Sequence, residues 1–383
     1  MAPVPEYTYL ISDLLTNRTL AEVPLSGVRY SKKLGDRGQL SATLTLGDPR
    51  VQVLDPYDLT TPARRVVYVV RDDQPVWGGL VWTRRFDAGA QQISLGCADF
   101  WSYFDHRKVL PRLVEQVYQD PRYLAQNARV DFLDVDQNDI VRLLVDLAQQ
   151  HEGGDIGVDT RGDGRLSGIT RSRTYFGYQN VNTGDALRTL AGIEDGPDIL
   201  FDVGPFDGNG RPTKVLRVGT PSLGRRRTSH VWELGANLLS YTWPSDGTRM
   251  TTRSFAVGEG VERGLLIAVA EERTRYRDGW PLLEGERGYS SVADPEELKA
   301  HAAADQRAGR LPVALPTLVA HGGLPPTVDE VDVGDDGRVV IADAFHTKGV
   351  DTTMRVVATE VVVGGDGAET LTLTMNPLLE DVT

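Results

Sequence analysis

Apolar and polar residues alternate at period two along much of this chain, the pattern of strands with one buried face. Twice the alternation takes the same form, in Val81–Cys97 (VWTRRFDAGAQQISLGC) and in Val356–Met375 (VVATEVVVGGDGAETLTLTM). Each copy reads as an apolar-rich strand, a Gly/Asp turn, and a strand with Ile93, Leu95 and Cys97, or Leu371, Leu373 and Met375, on one face. The identities are few, so a chance likeness of two ordinary hairpins and an internal duplication both account for the pattern. A duplication would let one chain build two comparable barrels.

The rest of the pattern gives the order β, α/β, β, α/β, β. Up to about residue 105, the runs Tyr7–Leu10, Gln39–Leu46 and Arg65–Val70 predict strands separated by Pro and Gly. Asp136–Gln150 has the helical period at Ile140, Leu143, Leu144, Leu147 and Ala148, with Asn138 as the expected N-cap. Gly153–Gly168 reads as a mobile Gly/Asp loop, and Thr183–Leu190 as a short helix capped by Thr183. Strand character returns from Ile199 to Trp243, with a turn at Asp207–Gly210, and again from Arg253. Asp294–Arg307 predicts a helix with Asp294 as cap, Pro295 in the first turn, Glu297 completing a capping box and Gly309 as the stop. Leu311–Pro316 should leave it extended, and from Val328 the chain is β again.

The expected fold class is therefore α+β, predominantly β, with two β-barrel-like domains and smaller inserted α/β domains. The expected division is a β domain at 1–105 completed by 199–245, an α/β insertion at 106–198, a second α/β domain at 246–327 and a C-terminal β domain at 328–383. A length of 383 residues is too much for one ordinary core.

Composition narrows the function classes. Hydrophobic residues at 40% and charged residues at 25% are those of a globular protein, and no run of about 18 apolar residues spans a bilayer. The start, MAPVPEYTYLISDLL, lacks a basic segment followed by an apolar core, so no secretory signal is expected. The formal charge, 41 − 54 = −13, argues against gripping nucleic acid but suits a wall past which DNA slides without sticking. Only six of the 41 basic residues are lysine, which fits a GC-rich genome or guanidinium chemistry. The single cysteine, Cys97, excludes an intrachain disulfide and a thiolate metal cluster, and its place in an alternating strand makes it a small buried hydrophobe.

Candidate chemistry adds little. Asp134, Asp136 and Asn138 begin like a calcium loop, but Asp139 stands where glycine belongs and Val145 where a bidentate glutamate belongs, so an acidic helix start explains them better. Asp159 to Gly164 has Arg161 at an oxygen-ligand position, and its Arg161-Gly162-Asp163 is a chance-level adhesion tripeptide. After Gly258 and Gly260 a dinucleotide fingerprint needs glycine where Arg263 stands, so a bulge or tight turn is expected. The six histidines, His106, His151, His230, His301, His321 and His346, show no paired spacing, and no hydrolase elbow or zinc motif occurs. Acid pairs for glycoside hydrolysis have no positive sign. Trp77, Trp82, Phe86, Phe100, Trp101, Tyr103 and Phe104 could stack sugars, but their strand spacing favours core or subunit interface. Arg225–Arg227 reads as a solvated turn or a contact to an acidic neighbour. No catalytic, cofactor-binding or metal-binding residue is assigned, no cofactor is expected, and the chain is expected not to be an enzyme.

In its order of features the chain resembles minor tail proteins of long-tailed actinobacterial phages, of the tail-hub family. The likeness rests on Trp77-Gly78-Gly79-Leu80, the first hairpin, Leu95 to Arg107 (LGCADFWSYFDHR), the helix near Asp139–Gln150, Tyr241 to Gly247 (YTWPSDG), Gly279 to Glu284 (GWPLLE) and the Asp294–Arg307 helix. The resemblance implies a homotrimer whose two hub domains per chain form a pseudo-sixfold ring at the virion tail tip. The ring would join the distal tail or tail-tube protein above to tail-tip, fibre or other minor tail proteins below. The tape-measure protein and DNA would pass through its lumen transiently. Synthesis would take place in the host cytoplasm. The family brings no catalytic residues, and since the chain stops soon after Asn376-Pro377, host binding or wall cutting would fall to other tail proteins. The alternatives are a tail-associated cell-wall hydrolase, a carbohydrate- or receptor-binding module, and the related hub of a contractile injection device.

Overall fold

A computed structural model describes residues 4–377 apart from 163, 194, 221, 290, 291, 293, 311–314 and the side chain of Glu297. The chain separates into two compact units, one made of residues 1–240 with 318–383 and the other of residues 241–317.

In the first unit, the N-terminal third folds as strands β1 (Tyr7–Asp13), β2 (Thr19–Glu22), β3 (Leu25–Lys33), β4 (Gln39–Thr45), β5 (Arg65–Arg71), β6 (Gln74–Asp87) and β7 (Gln92–Asp99). Strand β5 is buried from Arg65 to Val70, which is why its apolar residues run unbroken while β4 alternates. The middle of the chain adds a pair, β8 (Arg129–Asp136) with β10 (Thr170–Phe176), and a three-stranded sheet in the order β11 (Asp198–Phe206), β12 (Pro212–Gly219), β9 (Val158–Asp159). Under these lies the main core. Tyr68, Leu80, Phe100, Trp101 and Phe104 meet Ile140 and Leu144 of the Gln137–Gln149 helix and Phe201 of β11. Full burial of each such side chain is worth about 1.5–3 kcal/mol.

Two helix starts differ from expectation. The first helix is capped by Asp136, whose carboxylate accepts the Asn138 N–H at 2.9 Å. Asp136 is also claimed by the backbone N–H groups of Ser167 and Gly168, so Asn138 lies inside the helix, buried, donating to the Arg165 carbonyl. In Thr183–Ala191 the cap position is Asn182, and Thr183 is already helical. The stretch read as a mobile loop contains β9, and Gln149 clamps Val158 through both its backbone N–H and its carbonyl.

The C-terminal strands of this unit are β13 (Val231–Glu233), β14 (Leu238–Thr242), β18 (Thr317–His321), β19 (Asp336–Ile341), β20 (Val350–Val363) and β21 (Glu369–Pro377). Between β14 and β18 the chain makes the second unit. There β15 (Arg253–Val257) is flanked by antiparallel β16 (Ile267–Glu271) and parallel β17 (Glu284–Gly288). The Pro295–Gly309 helix packs Leu298 and Ala302 on Ala256 and Ala268, and Asp294 accepts the Glu296 N–H at 3.2 Å. A Cβ on Gly309 would lie 2.1 Å from Thr251 Oγ1, so close approach requires glycine there. The Glu297 side chain of the expected capping box, and most of the extended Leu311–Pro316 segment, lie outside the described residues.

The fold is predominantly β, but it does not close into two barrels among the described residues. N- and C-terminal strands join one thirteen-stranded sheet, whose path runs β14-β18-β21-β20-β3-β4-β7-β6-β5-β1-β2, with β13 and β19 branching from β20. The junction is β20 against β3, pairing Ala358 with Lys33 through Val362 with Arg29. That pairing uses the edge along which a separate C-terminal barrel would have had to close.

Candidate assembly interface

The two hairpins singled out by pattern are β6–β7 and β20–β21, and they match in register. Val81 faces Cys97 and Thr83 faces Gly96, leaving Trp82 as a bulge; Val356 faces Met375 and Ala358 faces Thr374, leaving Val357 as a bulge. Beyond each bulge, Phe86 faces Ile93 and Val361 faces Leu371. The carbonyl before each bulge accepts one N–H at 2.7 Å, from Ala63 to Val81 and from Gly334 to Val356, and both donors have positive φ. Preceding strands end at the same place, since β5 reaches Leu80 and β19 reaches Arg355, each two residues before the bulge.

The repeat extends to the neighbours. Sheet order around the first hairpin is β1-β5-β6-β7-β4-β3, and around the second β13-β19-β20-β21-β18-β14, the same succession in chain order. Matching bonds hold the fourth strand, Leu46 N–H to Gln91 O and Gly322 N–H to Glu369 O, both at 2.9 Å. One strand departs from the scheme: β1 is antiparallel to β5, whereas β13 is parallel to β19.

The outer edges are where the hairpins part. After its bulge β20 is covered by β3, whereas β6 from Thr83 to Asp87 pairs with β7 alone among the described strands. Phe86 is 53% exposed there and Val361, its counterpart, 3%. β14 ends the sheet path and leaves Leu239 50% exposed.

Charged pairs tie the repeats together. Arg71 of β5 forms a two-pronged pair with the buried Glu369 of β21, Nε to Oε1 at 2.7 Å and Nη2 to Oε2 at 3.0 Å, and the Tyr7 hydroxyl donates to the same carboxylate. Burial and the neighbouring Tyr30 and Glu369 push the Tyr7 phenol far up, and the Glu369 bonds raise Arg71. Asp202 is almost fully buried, which alone would raise it, but Lys32 at 2.7 Å and Arg217 at 2.8 Å hold it below the usual carboxylate range. Asp99 has no such cation; burial pushes it well up although the Gly38 and Trp101 N–H groups donate to it. Lys214 is buried below the first repeat, donating to the carbonyls of Leu14 and Ile156, and desolvation lowers it to about 8.

The residues singled out from sequence are dispersed. Trp77, Phe100, Trp101 and Phe104 are core, Trp82 donates to Ser102 from a half-buried position, Tyr103 donates to the Gly154 carbonyl, and only Phe86 of the seven aromatics is exposed. Cys97 is buried, and burial pushes its thiol up to about 12. Arg225 stands with Arg226 and Arg227 in an exposed turn, one of the two arrangements expected, with its own side chain 62% exposed. It is bound within the chain to the buried Asp335, Nη2 to Oδ2 at 2.7 Å, while Asp336 accepts the backbone N–H groups of Arg227 and Thr228. Asp136 is spent on its helix cap, and the Gly258 N–H donates to the Leu266 carbonyl at 2.8 Å, one step beyond the Val257–Ile267 pair of β15 and β16; Asp163 of the tripeptide lies outside the described residues. Sequence reasoning missed Glu369 and Lys214, whose partners are distant in the chain.

No family model matches the sequence, and no curated protein matches it. Solved structures do. A 43 kDa tail protein of prophage MuSo2 from Shewanella oneidensis aligns over 97% of this chain and 98% of its own, at 11% identity and a TM-score of 0.60. The tail protein from Neisseria meningitidis MC58 aligns over 96% of both chains, at 14% identity and a TM-score of 0.57. A chain of the lidded Francisella PdpA–VgrG complex aligns over 99% of this chain and 53% of its own, at 10% identity and a TM-score of 0.53. At these identities the likeness is one of fold, and it covers both repeats and the segments between them.

Proposed function

We propose that this chain is a structural tail-hub protein of a phage, a homotrimer whose two β repeats form a pseudo-sixfold ring between tail tube and tail tip. The observation that carries the reading is the duplicated sheet inside a fold shared end to end with two tail proteins. Two equivalent repeats per chain turn three copies into six near-equivalent positions, which is how a threefold tip can meet a sixfold tube. The two hub domains, with the α/β insertions at 106–198 and 246–327 as decorations, belong to this proposal, as does an actinobacterial host on the ground of arginine usage. The net charge of −13 suits a lumen that DNA crosses without being held. Its partners would be further copies of itself, the tube protein above and tip or fibre proteins below, with DNA and the tape measure passing transiently. Catalysis has no part in the reading. The alternative of a hub in a non-viral injection device draws on the Francisella likeness.

The test is a threefold reconstruction of the tail tip of particles that carry this chain, with antibody labelling to locate it. Three copies around the channel below the last sixfold ring are expected. Label on peripheral fibres, or none on the particle, overturns the reading and turns attention to wall-hydrolysis and sugar-binding assays.

A further inference from the structure

The two repeats use the edge of their long strand differently, and one of them leaves it unused. In the second repeat, β20 past its bulge accepts β3, the outermost strand of the first repeat, in antiparallel register. In the first repeat, the equivalent edge, Thr83–Asp87 of β6, has no partner among the described strands. The outermost strand of the second repeat is β14, and it too ends the sheet. A chain therefore carries one satisfied junction between repeats and the two halves of a second. Within one chain β14 is not paired with β6: the two lie apart on the sheet path, with the β20–β3 junction between them.

We propose that Thr83–Asp87 of β6 is the acceptor edge for β14 of a second copy of this chain, paired antiparallel as β3 pairs with β20. The inference rests on the hub reading and names the contact that would hold the ring. The occupant is argued from the repeat itself: β14 stands to the second hairpin as β3 stands to the first, and β3 is the strand seen on this edge. Both halves expose a large apolar side chain, Phe86 and Leu239. Unpaired strand edges with apolar flanks are aggregation hazards that native chains cover. The contact joins two different surfaces, so it is head-to-tail and closes into a ring when the rotation permits. Alternating β20–β3 junctions within chains and β6–β14 junctions between them would make one continuous sheet around six repeats.

The full chain carrying Arg85→Cys is mixed with the full chain carrying Leu239→Cys, or in turn Ser240→Cys, under mild oxidation. All three positions are exposed, and the buried Cys97 stays silent. A reducible cross-linked pair is expected in a mixture and not from any variant alone. In parallel, sedimentation measures the assembly state of Phe86→Asp and Leu239→Asp, surface changes that leave the monomer folded, and both are expected to release monomer. An oligomer that survives both substitutions and yields no cross-link overturns this edge while leaving the hub reading standing. A wild-type chain that stays monomeric at every concentration overturns both.

Discussion

Hairpins β6–β7 and β20–β21 share a bulge, a register and a bond from a positive-φ residue, yet few of their side chains agree. What repeats is backbone geometry: a bulge increases the local twist and re-aims the strand. Past that bend β20 rests on β3 and its Val361 is buried, whereas β6 leaves Phe86 in solvent. The difference lies in what each hairpin meets, and the changes below separate the shared geometry from the unshared surroundings.

The largest effect should come from the tie between repeats. Glu369 and Gln91 both give their carbonyl to the fourth strand, but only Glu369 sends its side chain into a buried pair, with Arg71. Glu369→Ala should cost about 3 kcal/mol by urea unfolding, because it strands a guanidinium that is 11% exposed. Asp72 and Asp329 lie near enough to compensate partly. Gln91→Ala should stay within about 0.5 kcal/mol. Equal costs would show that the tie contributes nothing beyond the turn.

The next effect depends on pH and belongs to the layer below the first repeat. Lys214 has a folded pKa of about 8 against an ordinary 10.5, so between those values the unfolded chain holds more protons than the folded one. Stability is depressed below about pH 8 and should rise by about 3 kcal/mol as pH climbs towards 10.5. Lys214→Met should flatten that rise, read as the urea midpoint at stepped pH. An unchanged slope would assign the rise to other groups.

How much of this was legible in the sequence follows the distance between partners. Hairpins were readable because period two and a Gly/Asp turn are local, and so was the burial of Cys97. The bulges were not, since Trp82 and Val357 become extra residues only once the facing strand sets the register. Closed barrels were expected because nothing local says that β20 will pair with a strand more than 300 residues earlier. Arg225 is as exposed as its arginine run suggested, but its acceptor Asp335, 110 residues on, was not legible. Glu369, next to a glycine turn, carried no local signal, because its partner Arg71 lies 298 residues away. The aromatic run Phe100–Phe104 was left open between core and interface, and the Gln137–Gln149 helix packed over it decides for core.

A smaller effect compares one register position in both hairpins. Val361→Ala removes methyl groups from a buried site and should cost about 2 kcal/mol. Phe86→Ala removes an exposed ring and should stay within about 0.5 kcal/mol in the monomer. If β14 of a second copy covers Phe86, the order changes when the assembly is melted instead, and Phe86→Ala then carries a cost that dilution to monomer removes.

The smallest effect concerns the turns, where the hairpins are built differently. Asp87 accepts the N–H groups of both Gly89 and Ala90 at 2.9 Å, whereas Asp366 accepts only that of Ala368, at 3.0 Å, beside a backbone bond from Gly364 to Ala368. An exposed bond of this kind is worth about 0.5–1.5 kcal/mol net. Asp87→Ala should therefore destabilise by about 1 kcal/mol and Asp366→Ala by roughly half as much, measured by thermal unfolding and by amide exchange at Ala90 and Ala368. The reverse order would mean that the second turn depends on its aspartate more than its backbone bonding implies. The first turn would then be held mainly by the β6–β7 ladder, making the two hairpins alike in their strands and unlike in what closes them.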